Sequence, residues 1–561
     1  MKTKVHSSPV APSCPVEDPV ILFTSVFGPF SQDDEYGSRA INPMELYQNQ
    51  VTRVQGPFSL RMFHRSWGLM LIRDNVECRS TLLDFPSRER FIEELKYHRY
   101  GVVAISAIPP NFLKVSEMCR LIRLHLPDAR IVVGGHISGV ANLQERTGAD
   151  YIARGEGVSW MRQFLGEDTE RPIRHPRILS GIGTRTMGMK MREKPGDVAA
   201  TLIPSVGCPM GCNFCATSAM FGGKGRFINY YQSGDDLFEE MLGLERDMRV
   251  RSFFVMDENF LFHRRRALQL LKRMKEHRKS WSLYVFSSAN VLKSYKIEEL
   301  VGLGISWVWM GLEGKGSQYA KLAGADTRSL VRELQSHGIS ILGSTIIGLE
   351  EHTAENLPDA IEYAVSHDTE FHQFMLYTPV PGTPLYEEHR KAGTLIDPEG
   401  IQLSDAHGQL KFMHRHPNLA QGEESGFLLQ AFQRDFEVNG PSVLRMARTL
   451  LRGWKRYGKC EDRRVRERFR RESRLLPIQY AAAVAGARRW FRKDPELRGK
   501  LDDLLREIKQ EFGIRARVAA GFGRFWVYRL LKAEERRLQN GFILEPPTFR
   551  ESSLDAVSAW I

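Results

Sequence analysis

The sequence predicts an α/β protein with a doubly wound parallel-sheet domain, a (β/α)6-type partial barrel and a helical, basic C-terminal region. Short apolar runs alternate with amphipathic stretches over residues 18–167 and again over 197–420. This alternation is typical of buried parallel strands joined by helices. The strand pattern fades in 421–561, where residues 441–540 hold 28 Lys and Arg against 12 Asp and Glu. That segment alone carries +16, so the remainder of this +12 chain sums to −4.

In the first domain, residues 18–167, four apolar runs are predicted strands and three amphipathic stretches are predicted helices. Residues 29–76 break the alternation, so we predict an irregular insert there. Ligands of doubly wound sheets bind at the carboxyl ends of the strands. The candidate ligand-binding residues at those ends are Ser106, Gly134, Gly135, His136, Gly155 and Glu156. The predicted strands are 20–28, 101–108, 129–138 and 149–157, and the helices are 87–100, 111–126 and 140–148.

The second domain begins after a Pro-, Gly- and Arg-rich stretch without periodicity, 168–196, which we predict to be a linker. Six strands follow within 197–420, and each adjacent pair is separated by a region long enough for a helix. Six β/α units favour a partial or complete barrel with its site at the carboxyl ends of the strands. The predicted strands are 199–207, 251–259, 282–289, 305–314, 339–348 and 371–380.

Three of the seven cysteines lie directly after the first of these strands, as Cys208, Cys212 and Cys215. Gly207 and its neighbouring Pro and Gly residues allow tight turns, so three sulfurs can converge. A structural zinc site takes four ligands, and no second Cys or His pair follows nearby. An iron–sulfur cube held by three thiolates leaves one iron open to a substrate or cofactor. The spacing therefore favours a three-cysteine cluster, with zinc as the alternative.

The motif C-x3-C-x2-C after the first strand of a β/α barrel, with an aromatic residue before the last Cys, resembles the radical S-adenosylmethionine (SAM) superfamily. Three later segments, "VMDENF", "WMGLEG" and "GSTIIGLEEHT", resemble the elements that contact SAM in that family. The resemblance implies a [4Fe–4S] cluster on the three cysteines. It further implies SAM contacts from Phe214, from Asp257, Glu258 and Asn259 at the amine, from Glu313 at the ribose, and from Ile346 in the adenine segment.

The segment "YTPVPGTPLYEE" (377–388) resembles the sixth-strand signature of the branch that carries an N-terminal cobalamin-binding domain. The segments "VVAIS", "VVGGHIS" and "DYIARGEG" follow the order and spacing of that domain, so the strand-end residues of the first domain are implied cobalamin contacts. The chain lacks D-x-H-x-x-G, and His64 in "MFHRSWG" matches it only in part. We therefore expect no His-ligated cobalt, and we place His136 near the nucleotide tail.

The resemblance implies an enzyme that cleaves SAM reductively, with an electron donor such as flavodoxin or ferredoxin, and attacks an unactivated carbon. We predict C-methylation of a small molecule or lipid, for example a hopanoid. The same architecture is compatible with radical ring formation or oxidative cyclisation. An RNA-modifying, methylthiotransferase-like enzyme and a non-enzymatic metal-stabilised module are the further alternatives.

The basic C-terminal region interleaves Trp, Tyr and Phe with Arg and Lys in 441–540. A solvated helical face, contact with a membrane surface and nucleic-acid binding all fit this composition. Of these partners, the membrane is favoured over nucleic acid. Residues 1–17 carry no long apolar run, so we predict a flexible leader without a secretory signal. We expect a cytoplasmic protein with peripheral contact at the inner membrane surface.

Overall fold

A computed structural model describes residues 11–554 except 39–46, 192, 195, 315–325, 398–399 and 401. In the first domain, every residue of the neighbouring strands β1 (Ile21–Ser25) and β3 (Ser80–Asp84) is buried, as parallel sheets covered on both faces require. The strands are β1 (Ile21–Ser25), β2 (Arg61–Phe63), β3 (Ser80–Asp84), β4 (Val102–Ser106), β5 (Arg130–Gly134) and β6 (Tyr151–Ile152), and the helices are α1 (Trp67–Arg73), α2 (Arg88–Tyr97), α3 (Phe112–His125), α4 (Leu143–Thr147) and α5 (Gly157–Leu165).

Strands β3, β1, β4, β5 and β6 pair in that order, all parallel, so the predicted doubly wound sheet is confirmed. The predicted start of α2 is also confirmed, because Ser87 Oγ accepts from the Arg90 backbone N–H at 3.1 Å and caps the helix. Strand β3, which pairs with β1, was not predicted from the sequence.

Three predicted irregular segments have more structure than expected. The insert 29–76 contains β2 and α1, so its prediction as wholly irregular is wrong for the described part; residues 39–46 lie outside the described residues. The predicted linker 168–196 forms β7 (Leu179–Ser180), β8 (Ile182–Thr186) and β9 (Met189–Lys190), and β2, β8 and β9 make a small sheet. In the predicted leader, residues 1–10 lie outside the described residues, but the Cys14 N–H donates to Phe164 O at 2.7 Å and Ala11 is buried.

The second domain is an open sheet in which β10 and β13–β17 are parallel neighbours in chain order, with β7 antiparallel at one edge. All six predicted strands are confirmed, and the order is that of a partial barrel. Its strands are β10 (Ala199–Leu202), β11 (Ser205–Val206), β12 (Ile228–Asn229), β13 (Ser252–Val255), β14 (Ser282–Ser287), β15 (Ile305–Gly311), β16 (Ser340–Ile347) and β17 (Phe371–Leu376). Its helices are α6 (Ala216–Met220), α7 (Gly234–Met248), α8 (Arg264–Glu276), α9 (Ala289–Leu292), α10 (Ile297–Leu303), α11 (Thr327–Ser336), α12 (Leu357–Val365) and α13 (Pro384–Lys391).

The two faces of this sheet differ because side chains alternate along each strand. One face packs Phe253, Val285 and Val308 against the apolar sides of the flanking helices in a large buried core. The other face carries partly exposed aromatic side chains. Short 3-10 and π turns complete the description: Tyr47–Val51, Gly56–Phe58, Pro109–Asn111, His136–Gly139, Phe260–Phe262, Leu403–Asp405, Ser473–Leu475 and Leu476–Tyr480.

The C-terminal region is helical, as predicted, but it ends in a strand. It comprises α14 (Glu423–Asn439), α15 (Ser442–Tyr457), α16 (Arg463–Glu472), α17 (Ala481–Trp490), α18 (Pro495–Gln539) and β18 (Phe549–Ser552). Strand β18 pairs antiparallel with β3, so the chain returns to the first domain. Leu342 and Phe371 of the second sheet share one hydrophobic cluster with α15, α17 and α18. Part of the basic charge is internal, since Arg445 forms a buried ion pair with Asp435 at 2.7 Å.

Candidate active site

The three clustered cysteines lie on one loop, residues 207–215, between β11 and α6 at the carboxyl side of the second sheet. Cys208, Cys212 and Cys215 are all partly exposed. Gly211 has φ of +69°, and a Cβ at this position would lie 2.5 Å from Lys224 Cβ. Only glycine tolerates both the backbone conformation and the close approach. The path of this Cys loop therefore depends on the glycine that precedes the second cysteine.

The surroundings of Cys208 disfavour a bare thiolate. The pKa of the Cys208 thiol is raised to about 12, mainly by burial and in smaller part by the nearby Cys215, Glu258 and Cys212, while the Met210 backbone N–H lowers it. A bound metal would reverse this, because it stabilises the deprotonated sulfur. Within the described residues, no three His, Cys, Asp or Glu side chains are grouped around a single-ion site.

The Asp257 carboxylate, which the resemblance places at the methionyl amine, is occupied by protein groups. It accepts from Arg266 Nη2 at 2.7 Å, from Ser205 Oγ, and from the Asn259 backbone N–H at 3.1 Å. Both partners of the Asp257–Arg266 ion pair are only 3% exposed. Asn259 is also engaged, since its amide contacts the Ser287 hydroxyl at 3.2 Å. Asp257 and Asn259 therefore hold the loop after β13 in place, and their contact with the methionyl amine stays a prediction.

Replacing Arg266 with methionine would leave Asp257 buried without its cation. We expect the free energy of unfolding to fall by about 3–5 kcal/mol, because an uncompensated buried charge is strongly destabilising. Chemical denaturation of the metal-free protein measures the change, and Arg265→Met, at the exposed neighbour, is the matched control. Adding Asp257→Asn to Arg266→Met should restore part of the loss. A midpoint unchanged in Arg266→Met would contradict a structural role for the pair.

Glu258 differs from its two neighbours. Its Oε2 atom is shielded from solvent and makes no hydrogen bond within the described structure. The pKa of Glu258 is raised to about 8, mainly by burial and in smaller part by the Asp257 charge, against the lowering effect of its own and the Gly207 backbone N–H groups. Because Gly207 directly precedes Cys208, this carboxylate lies beside the Cys loop. A shielded carboxylate of this kind fits a positively charged ligand such as a primary ammonium group.

Strands β15 and β16 bring the segments predicted for the ribose and adenine to one edge of the sheet. Glu313 is 3% exposed, has φ of +47°, and its N–H donates to Ser344 O at 3.3 Å. Ile346 belongs to a small apolar cluster with Tyr377, and Phe214 of the Cys loop packs against that cluster. The Phe214 and Tyr377 rings meet edge to face with centroids 6.0 Å apart. The structure thus brings Phe214, Glu313 and Ile346 to the same side of the site.

The predicted ligand edge of the first domain is built from glycine turns. Ser106 and Gly134 are register partners at the ends of β4 and β5. Gly135 follows with φ of +88°, and a Cβ there would lie 2.6 Å from Ala107 O. A side chain at this position would collide with the backbone of Ala107, so only glycine fits the turn after β5.

His136 connects this edge to the second domain. Its Nε2 atom lies 3.2 Å from Thr217 Oγ1 in α6, two residues beyond Cys215. Burial lowers the pKa of His136, which favours the neutral ring. Close by, a Cβ at Gly139 would lie 2.7 Å from Pro381 O. The ligand edge of the first sheet and the Cys loop of the second therefore face each other.

Glu156 has a structural task that its motif did not indicate. Its carboxylate caps α5 by accepting from the N–H groups of Val158 at 2.8 Å and Ser159 at 2.6 Å. It also accepts from the Tyr230 hydroxyl of the second domain at 2.8 Å. Gly155 supplies the turn before it, with φ of +79°. These contacts fix the two domains to each other next to the strand ends.

A row of aromatic rings lies on the face of the second sheet opposite the helix-packed core. Phe254, Phe286 and Trp309 come from β13, β14 and β15, within two residues of the strand ends, with centroids 5.9 and 4.9 Å apart. His64 stacks on Phe254 at 4.9 Å, and burial lowers its pKa to about 4. These four residues form the aromatic wall, and none of them is fully buried. His64 is thus part of this wall, through its stacking on Phe254.

Sequence reasoning missed five residues that hold the site together. Most of them join segments far apart in the chain, for which no local pattern exists. Asn213 stands within the cysteine motif, and its carbonyl accepts from the Leu385 N–H at 3.0 Å. Its position between the second and third cysteines is a signal that could have been used. The five are Ser205, Asn213, Thr217, Tyr230 and Arg266.

The fold and site define a class of protein: a two-domain α/β chain in which a three-cysteine loop faces the ligand edge of a doubly wound domain. Residues 69–165 match the B12 binding domain, and residues 202–364 match the radical SAM superfamily. The chain therefore belongs to the radical SAM enzymes that carry a cobalamin-binding domain. Its cofactors are accordingly cobalamin, a [4Fe–4S] cluster and SAM, as the motifs predicted.

Relatives of this chain include methyltransferases and a cyclase. An uncharacterized methyltransferase of Pyrococcus horikoshii is 27% identical over 54% of this chain and 72% of the relative. The anaerobic magnesium-protoporphyrin IX monomethyl ester cyclase of Cereibacter sphaeroides is 23% identical over 56% of this chain and 57% of the relative. The hopanoid C-2 methylase of Rhodopseudomonas palustris is 24% identical over 52% and 58%. The chain thus spans little more than half the length of the last two.

A solved structure supports the fold. The radical SAM methyltransferase TsrM from Kitasatospora setae, with cobalamin and a [4Fe–4S] cluster bound, aligns with a TM-score of 0.50. The alignment covers 81% of this chain and 98% of that chain at 15% identity. At this identity the likeness concerns the arrangement of domains and strands. It agrees with the sheets described above.

Proposed function

We propose that this enzyme methylates an unactivated carbon of an apolar substrate, with a lipid such as a hopanoid as the substrate class. The observation that carries the proposal is the aromatic wall, which lies near the carboxyl ends of β13, β14 and β15. Rings on a partly open face favour a rigid apolar molecule, since they offer a large contact area and few hydrogen-bond partners. Relatives that are named methyltransferases, one of them for a hopanoid, support the same reaction type.

The chain's own groups have separate tasks in this proposal. Cys208, Cys212 and Cys215 hold the cluster, which supplies single-electron chemistry to SAM when it is bound and reduced by a donor such as flavodoxin or ferredoxin. Glu258 binds the SAM ammonium group, because its Oε2 is shielded and lacks a hydrogen-bond partner within the described structure. Glu313 orients the ribose. The apolar cluster of Ile346 and Phe214 holds the adenine and excludes water.

The first domain would hold cobalamin against the Cys loop. Ser106, Gly134, Gly135 and Gly155 lie at strand ends or turns where a flat ligand can approach the backbone. His136 supports the ligand's tail while its Nε2 contacts Thr217. Glu156 acts indirectly, because it caps α5 and accepts a hydrogen bond from the Tyr230 hydroxyl. A methyl carrier and a SAM site on these facing edges would meet the proximity that a transfer between them requires.

The experiment is a comparison of total lipid extracts by mass spectrometry from cells with and without the gene. We expect a lipid that carries one additional CH2 unit only when the gene is present. Complementation with Trp309→Ala should reduce that product by at least about tenfold, since losing a large buried aromatic contact costs more than 1 kcal/mol. Tyr97→Ala, at an aromatic residue that is 80% exposed on the first domain, is the control. A product lacking two hydrogens, or no lipid change, would contradict methylation of a lipid.

A further inference from the structure

The second half of α18 carries large apolar side chains in solvent. Ile514, Val518, Phe522, Phe525 and Trp526 are 76, 52, 80, 48 and 57% exposed. Their spacing of four, eight, eleven and twelve residues from the first places them on one side of a helix. We call these five residues the apolar stripe. Scattered exposed apolar residues are ordinary, but a continuous stripe of this size marks a contact surface.

The orientation of the apolar stripe is fixed by the opposite side of the helix. Ala516, Ala520, Val527 and Leu531 are buried in the cluster formed with α15 and α17. Gly523 allows the close approach to α17, because a Cβ there would lie 2.3 Å from Ala482 Cβ. This side of α18 is thus packed against α15 and α17, and the apolar stripe is left exposed to solvent.

The charged residues within the segment that carries the stripe are of one sign, although Lys532 at its end pairs with Glu535 at 2.8 Å. Residues 512–532 contain no Asp or Glu. Aromatic rings and cations are interleaved, as the Arg524 guanidinium lies 4.5 Å and the Arg489 guanidinium of α17 5.0 Å from the Phe525 ring centroid. The five cationic residues of this segment are Arg515, Arg517, Arg524, Arg529 and Lys532.

We propose that the apolar stripe binds an anionic lipid surface, with α18 lying in the plane of the interface. Interfacial helices combine an apolar face containing Trp and Phe with a basic border, as this helix does. A second copy of this chain fits the apolar stripe less well, because a symmetric dimer through this face would set the five cationic residues of one copy against those of the other. Among the described helices none is long and apolar enough to span a bilayer, so the contact is peripheral.

The helix that carries the apolar stripe also packs against the second sheet. Trp309 of the aromatic wall packs against the same hydrophobic cluster that buries the other side of α18. Membrane contact would therefore hold this part of the enzyme at the source of an apolar substrate. The lipid contact itself rests on the stripe and its charges and does not depend on the proposed reaction.

Co-sedimentation of the full-length protein with vesicles tests the proposal. The vesicles contain phosphatidylcholine alone or with one third phosphatidylglycerol. We expect binding to the anionic vesicles at moderate salt, weak binding to the neutral ones, and loss of binding at high salt. The triple variant Phe522→Ser, Phe525→Ser, Trp526→Ser should bind at least about tenfold more weakly.

The control is Tyr97→Ser with Leu124→Ser, two residues exposed by 80 and 63% on the first domain. Thermal unfolding confirms that each variant is folded. Binding to anionic vesicles that the triple variant retains would overturn the proposal. So would a dimer in solution that only the triple variant abolishes, or binding of RNA in preference to the anionic vesicles.

Discussion

Replacement of Cys212 by serine is expected to abolish SAM cleavage. The Cys loop presents three thiols, and a cube held by two of them would lose one of its protein ligands. Anaerobically reconstituted Cys212→Ser should bind little iron and form no measurable 5′-deoxyadenosine or S-adenosylhomocysteine. Cys208→Ser and Cys215→Ser should behave alike.

Cys460→Ser is the matched control for the loop variants. Its thiol is partly exposed and donates weakly to Asp462 O at 3.4 Å, so the substitution removes a cysteine without touching the site. We expect full iron content and full SAM cleavage in this variant. Equal loss in Cys460→Ser and Cys212→Ser would show that thiol number rather than position matters, and it would refute the three-cysteine site.

Replacement of Glu258 by glutamine is expected to weaken SAM binding and to stabilise the metal-free protein. Loss of a charge-assisted hydrogen bond to the ammonium group should raise the dissociation constant by about 10- to 100-fold. In the absence of ligand, the shielded Oε2 of Glu258 has no hydrogen-bond partner within the described structure. Because glutamine carries no charge there, Glu258→Gln should raise the free energy of unfolding by about 1–3 kcal/mol near pH 8.

The pH dependence of this effect has a definite sign. The pKa of Glu258 in the folded protein, about 8, exceeds that of an unfolded glutamate, so the folded state holds the proton more tightly. Wild-type stability should therefore fall as the pH rises towards 8, whereas Glu258→Gln should escape this loss. Thermal unfolding from pH 5 to 8 measures the difference, which should be near zero at pH 5. A difference of constant size over this range, or a variant with unchanged SAM affinity, would contradict the assignment.

The sheets could be predicted because their strands are buried on both faces and therefore read as continuous apolar runs. Strand β18 could not, since "FRES" is polar and becomes a strand only through pairing with the edge of β3. Strands β7–β9 are short pieces of a stretch rich in Gly and Arg, so no periodicity identified them. These elements are specified by the neighbours they meet in the fold.

In the candidate site, too, the features with a local sequence pattern could be predicted and those that depend on tertiary contacts could not. The cysteines were found because their spacing is local, and Gly134 and Gly135 because they lie at the end of a predicted strand. The individual roles within "MDEN" were not readable, because only the folded chain brings Arg266 and Ser205 to Asp257 and leaves Glu258 beside the Cys loop. The contact of Glu156 with the second domain likewise depends on Tyr230, 74 residues away.

The most direct test of the three-cysteine site is the electron paramagnetic resonance spectrum of the full-length protein, reconstituted and reduced without oxygen, with and without SAM. We expect about four iron atoms per chain and a reduced-cluster signal that changes when SAM is added, since SAM binds at the iron that no cysteine holds. Zinc in place of iron, or a cluster signal identical with and without SAM, would contradict the proposed site.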